Sequence, residues 1–245
     1  MNKTIGIFGG GQLGRMMAQA ALPLNIQCSF FEAETDCPAA ILGPVFSSKD
    51  PQALQAFIAS AEVFSLEFEN TPVAYVDVLT QTKTLHPPRL ALATAQNRLA
   101  EKGLFDELAI PVAPYRAVDS LQSLKQAVDE LGLPIVLKTV TGGYDGKGQF
   151  VLRSEDQIDT AWAELGPAKS LIAESFVKFS REVSIIAVRG QDGDVKTWAL
   201  AENHHHNGIL SHSIVPAPNS TDLQPVAQDY ITRLLNHLNY VGVLT

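Results

Sequence analysis

The sequence predicts an α/β protein: a parallel β/α sheet in the first third of the chain, followed by an antiparallel α+β domain in the rest. Two observations carry this. Up to residue 86, short apolar runs alternate with helix-length segments, the pattern of strands joined by crossover helices. After Pro87-Pro88, strand-like runs follow one another across tight turns such as Gln191-Asp192-Gly193-Asp194, which join antiparallel neighbours. The expected domains are 1–88, a helical connection at 89–115, and 116–245.

Residues 4–8 read as a strand, Gly9-Gly10-Gly11-Gln12-Leu13-Gly14 as a turn, and 12–22 as a helix that stops before Pro23. A second strand at 27–31 closes with Glu32, and this strand–helix–strand unit opens a Rossmann-like parallel sheet. Further strands are expected near 44–46, at 63–68 and at 84–86, with helices at 51–60 and 72–79. Ligands bind such sheets at the carboxyl ends of the strands, where 9–14, 32–36 and 67–70 fall. Gly9, Gly11 and Gly14 fit a dinucleotide turn, with Glu32 where an acid would hold a ribose, so an NAD-binding oxidoreductase is one reading. A glycine turn at a helix N-terminus equally serves other phosphate-bearing ligands. In Glu67-Phe68-Glu69-Asn70-Thr71-Pro72 the acids either close the start of the next helix, with Asn70 or Thr71 as cap, or bind the amine or ribose hydroxyls of a ligand whose phosphate rests on the first glycine turn.

The second part is expected to hold one helix at 89–108, a break at Ile110-Pro111, a helix at 121–131 and a strand at 133–138 ending in Lys138. The loop Gly142-Gly143-Tyr144-Asp145-Gly146-Lys147-Gly148 follows, then a strand at 149–152 and a helix at 155–165. Strands at 171–176, 182–189, 196–201 and 209–215, a helix at 221–238 and a last strand from Tyr240 complete the chain. Four glycines among the seven loop residues let backbone N–H groups lie against an anion, with Lys138 and Lys147 supplying positive charge on either side. The loop differs from a Walker A loop because strands flank it and glycine follows Lys147, and from a kinase loop because Lys138 precedes the glycines. Downstream, Glu174-Ser175-Phe176-Val177 could offer backbone groups to an adenine edge and Glu182 its carboxylate to ribose hydroxyls. His204-His205-His206 lies in a connection at 202–208. Successive strand side chains alternate, so the three cannot share one metal, whereas a single histidine could bond a phosphoryl or carboxyl oxygen.

A formal net charge of −8 argues against a nucleic-acid backbone as the main partner. No apolar run approaches the roughly 20 residues that cross a bilayer, so the expected location is cytoplasmic. Cys28 and Cys37 show no metal-binding spacing and are expected as free thiols.

Together these segments resemble the ATP-grasp enzymes and, within them, the N5-carboxyaminoimidazole ribonucleotide synthetase family. The matching residues are 5–16 (IGIFGGGQLGRM), Glu67-Phe68-Glu69-Asn70, Asn97-Arg98-Leu99 with Lys102, Lys138, 141–149 (TGGYDGKGQ), Glu174, 180–184, 205–210 and Tyr240-Val241-Gly242-Val243. They run the length of the chain, and the pairing of the two glycine motifs is far more specific than either alone. The resemblance implies a pre-ATP-grasp, Rossmann-like domain followed by an incomplete α+β ATP-grasp domain. It implies a carbon–nitrogen ligase of de novo purine biosynthesis, in which ATP phosphorylates bicarbonate to carboxyphosphate and 5-aminoimidazole ribonucleotide captures the carboxyl carbon. It assigns Arg98 and Lys138 to ATP phosphates and Gly142, Gly143, Tyr144, Asp145, Gly146, Lys147 and Gly148 to a loop over them. Glu174, Ser175, Phe176 and Val177 go to adenine, Glu182 to ribose and His205 to the same nucleotide site. Lys138, Lys147 and His205 are the expected catalytic residues. Gly11, Gln12, Leu13, Glu69, Tyr144 and Lys147 are expected to bind the ribonucleotide, with Lys147 where the family often has arginine. Magnesium ligands are expected beyond Thr245 and none within the sequence, so the 245-residue chain alone is expected to be inactive. The expected partners are ATP, bicarbonate and the ribonucleotide, with a homodimer suggested by the family, and no nucleic acid or membrane. A noncatalytic nucleotide-binding module is the remaining alternative.

Overall fold

The computed structural model describes residues 3–142, 148–168, 170–206 and 209–245. The chain divides into two compact units, Met1–Ala93 with Leu238–Gly242, and Thr94–His237 with Val243–Thr245.

Unit one contains β1 (Lys3–Phe8), α1 (Gln12–Ala21), β2 (Ile26–Glu32), β3 (Val45–Ser47), α2 (Ala53–Ser60), β4 (Val63–Leu66), α3 (Val73–Leu79) and β5 (Thr84–Leu85). All neighbours in the five-stranded sheet are parallel, in the order β3-β2-β1-β4-β5, as the β/α alternation predicts. Strand side chains alternate, so Phe8 and Ile7 enter cores on opposite faces of the central strand. One core joins Phe8, Phe31, Phe57 and Phe64, and the other joins Ile7, Ala18, Cys28 and Phe30. Phe57 meets both Phe8 and Phe64 edge-on with centroids 5.1 Å apart. Each fully buried phenylalanine contributes about 1.5–3 kcal/mol relative to exposure. Cys28 and Cys37 are free thiols, and burial raises the Cys28 pKa, which keeps it a packed apolar group.

The segment joining the units carries α4 (Arg89–Ala95). Unit two continues with α5 (Arg98–Glu107), β6 (Tyr115–Val118), α6 (Leu121–Leu131), β7 (Ile135–Thr139), β8 (Gln149–Leu152), α7 (Ile158–Leu165) and β9 (Leu171–Ser175). Then come β10 (Glu182–Ser184), β11 (Ala187–Arg189), β12 (Val195–Thr197), β13 (Ala201–His206), β14 (Ile209–Ile214), α8 (Leu223–His237) and β15 (Gly242–Leu244). An antiparallel sheet in the order β6-β9-β7-β8 packs Ile135, Leu137, Leu171 and Ala173 against Leu124 and Val128 of α6 and Ala161 of α7. Ser120 and Ser123 form a capping box that starts α6. Two further three-stranded sheets have the orders β10-β13-β14 and β12-β11-β15.

Four expectations are corrected here. The helix expected at 89–108 is two helices, because the Asn97 side chain accepts the N–H groups of Leu99 and Ala100, both at 3.0 Å, and starts α5 afresh. β6 was not expected, since prolines at 111 and 114 precede a strand whose Arg116 and Ala117 are exposed. The strand expected at 182–189 breaks at Ile185-Ile186 into β10 and β11, which belong to different sheets. The histidine run is no connection: His204, His205 and His206 end β13. Among the described residues no helix is long and apolar enough to cross a membrane.

Candidate functional site: two glycine loops and their charges

In unit one the turn after β1 is built around a carboxylate from the neighbouring strand. β4 lies beside β1, and its register sets Phe8 against Leu66, so Glu67 emerges next to Gly9. The Glu67 N–H donates to Phe8 O at 2.9 Å, and its side chain accepts the backbone N–H groups of Leu13 and Gly14 at the start of α1. Gly9 has φ +108°, and a Cβ there would lie 2.1 Å from Glu67 Oε2; at Gly11 a Cβ would lie 2.9 Å from Oε1. The glycines make room for this side chain. From the other neighbouring strand, Glu32 Oε2 accepts the Gly10 N–H at 3.0 Å and Oε1 accepts that of Ala33 at 2.7 Å.

The N–H groups of Gly10, Leu13 and Gly14 are engaged by two of the chain's own acids, and Glu32 is turned onto the backbone and not toward a ribose. An acid does close a helix start, as one sequence reading has it, but the helix is α1. At α3 neither Asn70 nor Thr71 caps, and Thr71 Oγ1 bonds Phe68 O instead. Burial raises the Glu67 pKa most strongly, the Glu32 and Glu69 charges add to that, and the two N–H donors oppose it. Gln12, Leu13 and Glu69 are exposed and Gly11 is half-buried at the same edge of the sheet, with Glu69 Oε1 accepting from Asn70.

In unit two the charges are arranged the other way round. The β7–β9 register sets Lys138 opposite Ile172 and Val136 opposite Glu174, so Lys138 and Glu174 are diagonal neighbours on one face of the sheet. Lys102, one turn after Arg98 on α5, reaches the same carboxylate. Glu174 Oε2 lies 3.2 Å from Lys102 Nζ and 3.3 Å from Lys138 Nζ, and Glu174 is only 8% exposed. Arg98 spans the entry to the second glycine loop: Nη1 donates to Thr139 O at 2.9 Å and Gly142 O at 2.7 Å, while its own N–H donates to Val140 O. Thr139 N–H donates to Gly148 O across the loop's base. Gly143, Tyr144, Asp145, Gly146 and Lys147 lie outside the described residues. Burial raises the pKa of Glu101, against the opposing pull of Lys102 and Arg98.

Beyond Glu174, the Ser175 and Phe176 N–H groups donate to Pro114 O and Pro134 O, and Phe176 and Val177 are exposed. Arg153 lies over the Phe176 ring, 5.6 Å from its centroid. On the β10–β13 pair, Glu182 stands opposite Asn203, and His205 Nδ1 lies 3.6 Å from Glu182 Oε1. His204 takes another direction, stacking on His212 with centroids 4.6 Å apart and approaching Glu202. Alternation along the strand, with a register shift between His204 and His205, therefore brings one histidine of the run to Glu182. No group of three or more His, Cys, Asp or Glu among the described residues is placed to hold a metal ion. Lys102 stands in the sequence resemblance beside Asn97-Arg98-Leu99 but had no expected site role, and nothing local in the sequence marks its approach to Glu174.

The family model for the ATP-grasp domain matches residues 103–245, and that for the ribonucleotide synthetase preATP-grasp domain matches 1–96. The chain is 43% identical to the N5-carboxyaminoimidazole ribonucleotide synthase of Brucella melitensis, over 98% of this chain and 68% of that protein. It superposes with a TM-score of 0.93 on the N5-carboxyaminoimidazole synthetase of Staphylococcus aureus complexed with ADP, at 30% identity, covering 99% of this chain and 65% of that one. The N5-carboxyaminoimidazole synthase of Aspergillus clavatus in complex with ADP and 5-aminoimidazole ribonucleotide gives a TM-score of 0.86 at 26% identity, over 98% of this chain and 64% of that one. The chain thus spans about two thirds of the length of these relatives.

Proposed function

The chain belongs to the ATP-grasp superfamily and, within it, to the N5-carboxyaminoimidazole ribonucleotide synthase family, and from that premise we propose that it serves an ATP-dependent carboxylation. In this reading a bicarbonate oxygen attacks the γ-phosphorus of ATP, giving carboxyphosphate and ADP. The 5-amino group of 5-aminoimidazole ribonucleotide then attacks the carboxyl carbon. A C–N bond forms, the C–O bond to phosphate breaks, and the amine loses a proton. The products are N5-carboxyaminoimidazole ribonucleotide, ADP and phosphate, within purine biosynthesis. Domain roles follow the sequence boundaries: 1–88 for the ribonucleotide, 89–115 as connection and 116–245 for ATP.

Phosphoryl transfer asks mainly for positioning and charge neutralisation. The observation that carries the proposal is Lys138, held by a carboxylate that is 8% exposed, at the foot of a glycine loop whose entry is fixed by Arg98. Lys138 is assigned to the transferring phosphate, Arg98 and the 142–148 loop to the triphosphate, and Glu174 to Val177 to adenine. Because the Ser175 and Phe176 N–H groups are already used, the purine edge is left to the carbonyls and to Val177. Glu182 takes the ribose, with His205 beside it in the same nucleotide site. In unit one Gly11, Gln12, Leu13 and Glu69 keep their assignment to the ribonucleotide, as do Tyr144 and Lys147 in unit two. Among the described residues no group of three or more His, Cys, Asp or Glu stands ready for magnesium. A cytoplasmic homodimer completes the proposal.

The test is phosphate release from ATP and bicarbonate with aminoimidazole ribonucleotide, glycinamide ribonucleotide or biotin as acceptor, alongside ADP binding by calorimetry. Stimulation by aminoimidazole ribonucleotide alone supports the proposal. Stimulation by another acceptor replaces the substrate, and ADP binding without turnover favours a binding module. Binding of NADH that ATP does not displace would return the chain to the oxidoreductase reading.

A further inference from the structure

We propose that Lys102 is a positioning residue of the phosphate site: by sharing the Glu174 carboxylate with Lys138, it keeps the Lys138 ammonium available to an anion. The inference rests on the nucleotide site proposed above and goes beyond it, since Lys102 has no assigned role there.

The argument is one of charge count in a partly dry place. Glu174 Oε2 has two ammonium nitrogens within 3.3 Å, and the side chains of Lys102 and Lys138 are 16% and 26% exposed. One carboxylate against two ammoniums leaves a positive charge uncompensated. The neighbours do not remove it. Arg98, on the same face of α5, directs its guanidinium to the carbonyls of Thr139 and Gly142 and adds another cation at the loop entry. Glu101 is the second acid in range of these cations, and with it counted as charged Arg98, Lys102 and Lys138 still outnumber Glu101 and Glu174. An excess of positive charge withdrawn from water is unfavourable unless a partner completes it. The geometry therefore favours an anion at this spot, and the family's ligand supplies one in the phosphates of ATP.

Lys102 matters because of what Lys138 would do without it. Alone with Glu174, Lys138 would form a one-to-one neutral pair, and each contact it made with a phosphate would compete with that pair. With Lys102 drawing on the same oxygen, the pull of Glu174 on Lys138 is divided. Lys102 itself need not touch the ligand.

Calorimetric titration of the whole chain with ADP and with adenosine tests this. Lys102→Met should weaken ADP binding about tenfold, a loss of the size that one compromised charge contact produces, and leave adenosine binding unchanged. Lys102→Arg should stay close to wild type. The sharpest arm measures Lys102→Met in a Glu174→Gln background, where the contact assigned between Glu174 and adenine is altered equally in both proteins and Lys138 has no carboxylate left to be shared, so the Lys102 change should alter ADP affinity less than about twofold. If Lys102→Met weakens ADP as much in that background as in wild type, or if ADP and adenosine weaken together, Lys102 is only a packing residue and the proposal is overturned. Lys102→Gln replaces Lys102→Met in every arm should the methionine variant fail to fold. Lys138→Met separates the two levels of the argument: if it binds ADP as wild type does, or if wild type binds no ADP, the nucleotide site itself is wrong, whatever Lys102 does.

Discussion

The two glycine loops look alike in sequence, each leaving a buried strand with its backbone free to approach an anion, yet the structure surrounds them with opposite charges. In unit one the neighbouring strands end in acids, and Glu32 and Glu67 take the N–H groups of Gly10, Leu13 and Gly14. In unit two the acid, Glu174, is itself outnumbered by lysines. The glycines therefore show that something must come close to the backbone, and the residues ending the adjacent strands decide what it is. In the first loop side chains of the same chain take the Gly10, Leu13 and Gly14 N–H groups, and the proposal leaves the rest of the turn to the ribonucleotide; in the second, the proposal is a phosphate.

The largest effect should come from breaking the first arrangement. Gly9→Ala adds a Cβ 2.1 Å from Glu67 Oε2 at a backbone φ of +108°. Backbone strain and the clash together should cost roughly 3 kcal/mol, read as a shift of the urea unfolding midpoint. Repeating the substitution in a Glu67→Ala background removes the clash and leaves the strain, so about 1–2 kcal/mol should remain. A cost for Gly9→Ala near zero would mean that Glu67 does not occupy the turn.

Next in size is the acid of unit two. Glu174→Ala leaves two ammonium groups facing each other without the carboxylate between them. Losing one partner of a fully buried pair costs 3–5 kcal/mol, and the partial exposure of both lysines reduces the expected penalty to about 2 kcal/mol. High salt should relieve it in part, which cavity formation alone would not produce.

How much of this was legible in the sequence depended on whether a residue's partner is local. β1, α1 and β2 could be placed closely because a sheet covered on both faces writes itself as apolar runs. The edge strand β6 could not, since its Arg116 and Ala117 face solvent and nothing in its own residues reveals β9 as its partner. Asn97 falls inside the single helix expected at 89–108, and its two N–H contacts mark it as the start of α5. Lys138 and Glu174 were legible as types at strand ends. That Lys102 shares Glu174, and that Glu67 fills the turn after β1, are facts of strand order and helix placement that no local spacing carries.

A smaller effect should distinguish the loops by pH. Burial raises the Glu67 pKa above its ordinary 4.5, so the folded chain holds that proton more readily than the unfolded chain. The resulting stability is fully present below the unfolded value and is lost as pH rises through the folded one. Glu67→Gln keeps the shape and one acceptor but cannot titrate, so the stability difference between variant and wild type should move in the variant's favour as pH rises above 4.5. Urea midpoints at a series of pH values measure this, and parallel curves for the two proteins would remove the raised pKa from the account of the turn.

The smallest effect belongs to an ion pair that resembles the Glu174 cluster in chemistry and differs from it in setting. Arg116 and Glu130 meet on the surface of unit two with side chains 51% and 54% exposed. Water screens both charges in the folded and the unfolded chain alike, so Glu130→Gln should change stability by less than about 0.5 kcal/mol, and that little should vanish in molar salt. Set beside Glu174→Ala, the same class of contact then gives two outcomes several-fold apart. If the surface pair proved as costly to break as the buried one, exposure would not be what gives the Glu174 cluster its weight, and the charge-excess argument for Lys102 would lose its physical basis.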